Sequence, residues 1–451
     1  MSKNLFIATS TLSRLANAIR EKDPDLGNPQ MTPVEMPNYI YAMDFHGYKF
    51  DGGYGGVAID GGTNLRAKYQ NNVSVMYPVI SNQVTDMQQA FNNCRNLVGT
   101  PMCNDNVIYG YQMYRDCWNL TGEPQTGDNL VNMSQAYYNC VNVTGNAPIG
   151  PNVTDASQAY YNCQNLDGVI SIGPNVTNLR QTFWECQNLG GYIPNNLTGV
   201  LDTYQAFYNC YNIQGSPICG SAVTDGSNMY AECHGITGKA ATGPLVTNMA
   251  NMYRNCWNLN SATCGPNTTI MTYAYADCNN LISAAPNAPK VTTSDFAYFN
   301  CTNLVMGYAP PLTNNIRYMF TNCVNLRGSI ILNTMPANAQ YAFADCDNLE
   351  GVYWPGTVTD ANSRLINVFL APNRKVRLNL VCATRNGLTN IGKAAQCGCT
   401  FPAATVLDDD NKVNVRLPLV YANGQVYGHK YYMCKAYTYN EEANIYIYSL
   451  A

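Results

Sequence analysis

One cysteine recurs down this chain at a spacing that no single compact core would impose. Cys94, Cys117, Cys140, Cys163, Cys186, Cys210, Cys233, Cys256, Cys278, Cys301, Cys323 and Cys346 stand 22 to 24 residues apart, and a fixed period of this length marks a repeat array. An aromatic precedes each cysteine by three residues: Phe91, Tyr114, Tyr137, Tyr160, Phe183, Phe207, Tyr230, Tyr253, Tyr275, Tyr298, Phe320 and Phe343. An aliphatic follows it by three, from Leu97 and Leu120 to Leu349. At 451 residues the chain exceeds what one hydrophobic core usually serves, whereas stacked units lengthen a core without needing a centre.

With the cysteine as position 0, apolar or small residues fall at −7, −4, −3 and 0, as in Met87, Ala90, Phe91 and Cys94. This spacing predicts one face of a short helix. Position −8 is Asp or Asn in nine units, Asp86, Asn132 and Asp155 among them, and such side chains accept the free N–H groups of a first turn. Asn fills +2 in every unit except at Gly235, and Gly often follows at +5, as at Gly99, Gly122, Gly168, Gly191 and Gly328. The chain must turn there. Short strands are expected next, at 168–172 and 328–332. Each unit reads helix, turn, strand, loop.

These residues resemble the BspA-type leucine-rich repeat of bacterial and phage surface proteins. Val246-Thr247-Asn248-Met249 followed by Met252, Tyr253, Cys256 and Leu259 carries the resemblance, which extends over residues 81–357. It implies a leucine-rich-repeat-like solenoid of about twelve repeats, with one short helix and one short parallel strand in each. Strands paired at about 4.8 Å would make a rod on the order of 50 Å long. The cysteines would line its interior as small, inert hydrophobes, too evenly spaced to pair off. Cys103, Cys219 and Cys264 fall outside that column and take no role.

The ends differ from the body. Residues 1–45 read as a helical anchor module, in which Leu12, Leu15, Ala16 and Ile19 share one helical face. A second helix begins at Thr32-Pro33-Val34-Glu35-Met36, with Thr as cap and Pro at the first helical position. Together the two segments resemble a short module that opens many phage tail and virion proteins. Residues 46–80 are Gly-rich, with Gly52-Gly53-Tyr54-Gly55-Gly56; lacking any strand-to-helix context, they read as a linker or hairpin, not a phosphate loop. After about Val358 the period gives way to alternation, as in Val413-Asn414-Val415-Arg416-Leu417. A small C-terminal antiparallel β domain over 358–451 is the expectation.

Chemistry is sparse. His46, His234 and His429 are isolated and stand in no triad or zinc motif. Cys382, Cys397, Cys399, His429 and Cys434 could gather around zinc, but no Cys-x-x-Cys spacing supports it. No catalytic, cofactor or metal residues are expected. A net charge of −4 with only 12% charged residues is no nucleic-acid footprint, and no apolar run approaches the roughly 20 residues of a membrane span. One stripe stands out at −2, off the buried face: Tyr138, Tyr161, Trp184 and Tyr208. It reads either as rings packing on their neighbours or as a platform for a glycan or protein partner.

The N-terminal resemblance implies a virion structural protein, of tail-fibre, spike or decoration type. It would attach to other virion proteins through its N-terminus, present the solenoid to a host surface or capsid, and could be a homo-oligomer. The alternative is a bacterial cell-surface adhesin, for which a signal peptide and an anchor are expected and are not seen in the sequence.

Overall fold

The computed structural model describes residues 57–60, 62–75, 77–286, 288–355, 367–371, 373, 376, 378–382, 413–420, 425–440 and 445–450. The helical anchor expected at Leu12, Leu15, Ala16 and Ile19 lies outside them. The cysteine-marked units are successive coils of one solenoid, each laid parallel on the last. Residues at −8 form a ladder of parallel bridges, Asn64 to Asp86 to Tyr109 to Asn132 to Asp155 to Asn178 to Asp202, and again from Asp225 through Asn248, Ile270, Thr293 and Asn315 to Asn338. Short parallel pairs follow the cysteine, starting at +3 to +7: β3 (Ala147–Pro148) with β4 (Ile170–Ser171), β5 (Gly238–Lys239) with β6 (Leu259–Ser261), and β7 (Ser329–Ile331) with β8 (Gly351–Trp354).

The expected helix is absent: among the described residues there is none. Positions −5 and −1 instead adopt left-handed backbone in every coil, for example Gln89 (φ 55°) and Asn93 (φ 60°), or Gln158 (φ 54°) and Asn162 (φ 59°). These residues break what would be a helix into chained turns. The amides of −4, −2 and 0 close turns onto the carbonyls three residues back, as Ala90 onto Met87 at 2.9 Å and Cys94 onto Phe91 at 3.1 Å. The amides of −7, −5, −3 and −1 instead reach the next coil, as Met87 to Tyr109 and Phe91 to Met113, both at 2.8 Å. A helix would spend all these donors internally; splitting them leaves half to join one coil to the next. The apolar face survives because turns chained this way bury the same four positions. Asp or Asn at −8 does accept an amide, that of −6, as Asp155 Oδ1 from Ser157 at 2.9 Å, but the cap closes an Asx turn.

The aromatics at −3 form one unbroken internal stack from Tyr69 to Phe369, with neighbouring centroids 5.2–5.8 Å apart. The array therefore runs past the limits the cysteines mark. Within the stretch expected to be a linker or hairpin, Ala67 and Asn71 take the left-handed backbone of −5 and −1, Leu65 and Val75 are buried, and Asn72 stands where a cysteine would. The same stretch holds β1 (Val57–Asp60), parallel to β2 (Tyr77–Ile80). Where the −3 residue is Tyr, its hydroxyl reaches a loop backbone group twelve or thirteen residues upstream: Tyr114 donates to the Met102 carbonyl at 2.7 Å, Tyr230 to Ile218 at 2.6 Å, and Tyr298 accepts from the Ala285 amide at 2.9 Å. This bond is what a Tyr adds over a Phe at −3.

The antiparallel expectation for the terminal strands holds only in part. β9 (Leu378–Cys382) lies parallel to β8, and β12 (Ile445–Leu450) parallel to β9. Antiparallel pairing is confined to β10 (Val413–Val420), β11 (Val426–Asn440) and β12. All join β7 and β8 in one six-stranded sheet, ordered β10-β11-β12-β9-β8-β7. The last coil would otherwise end in an open strand edge, which β9 satisfies. β10 then folds back over β7 and β8, where Ser329 Oγ donates to the Pro418 carbonyl at 3.2 Å and Tyr353 stacks on Tyr432 at 5.0 Å.

Candidate interaction face

The chained turns also decide which side chains point outward. Positions −5, −2, −1, +1 and +2 share one lateral face, and because coils superpose, each position becomes a column. At −2, Tyr138, Tyr161, Trp184 and Tyr208 are half-buried and stacked ring on ring, at 4.4, 4.3 and 6.0 Å. Burial, together with the neighbouring Tyr138, pushes the pKa of the Tyr161 hydroxyl up to about 12. Packing between coils is thus the geometry of this stripe; its ring faces are occupied, and edges and hydroxyls are what it presents.

Two more outward ladders continue where the first ends. At +1, His234 lies between Tyr211 (4.8 Å) and Trp257 (3.9 Å), with Nε2 3.7 Å from Glu232. At −5, Tyr273, Phe296, Tyr318 and Tyr341 stack at 4.3, 4.6 and 4.8 Å. In the earlier coils −5 is a glutamine ladder, with amide-to-amide bonds from Gln89 to Gln112 and from Gln158 to Gln181 and on to Gln205. Arginines lie over rings in these columns and beside them: Arg95 over Trp118 at 4.3 Å, Arg115 over Tyr138 at 4.6 Å, Arg180 over Tyr204 at 4.4 Å, Arg317 over Phe296 at 5.4 Å. Only the −2 stripe is singled out from sequence. The others become visible when every column of the period is read downward, since −5 then runs glutamine, asparagine, aromatic.

The described interior is lined by the repeat cysteines. Each repeat cysteine donates its S–H to the carbonyl of the aromatic one coil back, as Cys117 to Phe91 (2.9 Å), Cys210 to Phe183 (3.0 Å) and Cys346 to Phe320 (3.1 Å). Burial raises the pKa values of Cys117, Cys163 and Cys210 well above the thiol range. Cys103, Cys219 and Cys264 also share one position, −14, on the loop, where they are partly buried against the core. Among the described residues no three His, Cys, Asp or Glu side chains gather to hold a metal. Of the residues weighed for zinc, Cys397 and Cys399 lie outside the described ones, and His429 accepts from Arg416 instead. No described helix is long and apolar enough to cross a membrane.

Comparison with known families gives one match, to the family described as "BspA type Leucine rich repeat region", in six copies spanning residues 66–190, 156–282 and 287–368. No curated protein matches. Among solved structures, the chain is similar to a leucine rich cell surface protein from Faecalibacterium prausnitzii, with 18% identity over 60% of this chain and 82% of that one, at a TM-score of 0.38. It is also similar to a leucine-rich repeat protein from Bacteroides ovatus, with 16% identity over 59% of this chain and 81% of that one, at 0.33. At these scores no functional property carries over.

Proposed function

We propose, for a chain that belongs to the BspA-type leucine-rich-repeat family, that it is a non-catalytic bacterial cell-surface adhesin whose lateral face binds a macromolecular partner. The observation that carries this reading is the make-up of that face. Aromatic ladders run along it with arginines stacked on them, and from −8 to +2 none of the twelve cysteine coils holds a lysine. Recognition surfaces are enriched in Tyr, Trp and Arg and depleted in Lys, because rigid rings and a preorganised guanidinium lose little freedom on binding. Here stacking has already immobilised them. Protease shaving of intact cells should release solenoid fragments, and Tyr161→Ala with Trp184→Ala should lower adherence to host cells or mucus by about tenfold or more. Protection from shaving together with unchanged adherence would end this reading.

A second reading, a phage virion protein, rests on the resemblance of the N-terminal segments around Ile19–Lys22 and Thr32–Met36. Mass spectrometry of purified virions tests it: stoichiometric copies would favour it, and their absence would remove it. Deleting residues 1–45 should then abolish incorporation while leaving the solenoid folded.

A further inference from the structure

The hairpin of β10 and β11 presents a second surface, unlike the lateral face in geometry. One side of it packs on the solenoid through Val415, Leu417, Tyr432 and Cys434. The other side bears Arg416, His429, Tyr431 and Met433, in a register that sets Arg416 opposite Tyr431 and diagonal to His429. Arg416 is exposed, and its Nη2 donates to His429 Nδ1 at 2.7 Å. Desolvation, together with the guanidinium itself, lowers His429 from the usual imidazole value, which keeps that nitrogen free to accept. Tyr431 is 57% exposed, and the ring found near it is His429, tilted by 48° at 6.2 Å. Its face is not covered as the faces of the lateral ladders are. Arg416 is the described cation of this side, since Lys430 pairs with Leu417 and lies over Tyr432 on the packed side; in sequence, Asp408–Asp410 and Glu441–Glu442 border the segment.

We infer that this hairpin is a binding site for an acidic polysaccharide. Its carboxylates would meet the Arg416 fork, which His429 holds in place, while a sugar ring lies on the open face of Tyr431. Charge complementarity argues for an anionic occupant, because a guanidinium pairs a carboxylate through two parallel hydrogen bonds. The open ring argues for a saccharide, because an aromatic face uncovered by neighbours accepts the C–H face of a pyranose. Rings inside the lateral ladders have both faces stacked and offer no such contact. This site goes beyond the proposed adhesive face and does not depend on it.

Biolayer interferometry of the full chain tests the inference, with polygalacturonate, neutral galactan and polyglutamate as immobilised probes over a sodium chloride series. The expected result is binding to polygalacturonate that weakens as salt rises and is stronger than to either control. Arg416→Gln and Tyr431→Ala should each weaken it tenfold or more, and Lys290→Gln on a distant loop should not change it. Both hairpin side chains are exposed, so an unchanged melting temperature should accompany the loss. Absence of binding to polygalacturonate at low salt would overturn the proposal. So would equal binding to polyglutamate, which would assign the surface to acidic protein, or full affinity in either hairpin variant.

Discussion

The repeat cysteine is small enough for the crowded interior, and it supplies a donor to a carbonyl that already takes one turn amide, as Phe91 takes both Cys94 N–H and Cys117 S–H. Native protein should therefore react slowly with a thiol reagent at pH 8. Denatured protein should yield its cysteines as free thiols, and six or more disulfides in a non-reducing mass map would contradict this. Burial holds Cys103 and Cys264 at about 11, so their alkylation should quicken about tenfold per pH unit between 8 and 10. The same burial sets a stability trend. A thiol whose folded value lies above the unfolded 9.0, as burial dictates for Cys140 and Cys163, contributes stability that is intact below pH 9 and lost as pH rises through the folded value. Urea midpoints should be flat from pH 6 to 8 and fall above 9; a rise there would contradict the buried neutral column. Phe207, fully buried between Phe183 and Tyr230, should cost about 3–5 kcal/mol on change to Ala, measured by denaturation.

At the scale of one coil, the decisive feature is the approach of backbone to backbone. Gly127, Gly150, Gly173, Gly220, Gly243 and Gly265 occupy one column at −13. A Cβ on Gly173 would lie 2.1 Å from the Gly150 carbonyl oxygen. Backbone cannot swing away as a side-chain tip can, so Gly173→Ala should destabilise by at least about 1–3 kcal/mol. Hydrogen exchange should show the loss concentrated in the coils on either side. A uniform or negligible effect would mean that the coils are spaced more widely than described. The Asx turn at −8 contributes less: Asp155→Ala should cost about 1 kcal/mol.

Over the whole molecule, stability passes from neighbour to neighbour, and the ends need closing. At one end, β10 lies on β7 and β8, where Gly351 leaves room for Leu417 at a distance of 2.6 Å from a built Cβ. Deleting residues 411–451 should uncover Tyr353, which stacks on Tyr432, and fray the last coils in hydrogen exchange, while the coils around Cys163 keep their exchange protection. Loss of protection throughout would show that the array folds as one cooperative block.

The period, the aromatic, the cysteine and the aliphatic determine by themselves that this chain stacks repeats around a continuous core. They even identify the buried positions, since Met87, Ala90, Phe91 and Cys94 are all inaccessible. They do not determine the local conformation, because a helix and a run of turns bury the same spacing. What decides between the two is where the amides go, and that depends on a neighbouring coil about twenty-three residues away in sequence. Gln158 or Tyr273 in left-handed backbone is unfavourable in isolation, by about 1–2 kcal/mol, and holds only where the inter-coil bonds and ladder contacts outweigh it. The partners of the terminal strands were hidden for a similar reason. Alternation marks a strand, but the open edge of β8 exists only once the solenoid has been built. The Arg416, His429 and Tyr431 surface is likewise a product of strand register, which no local pattern contains.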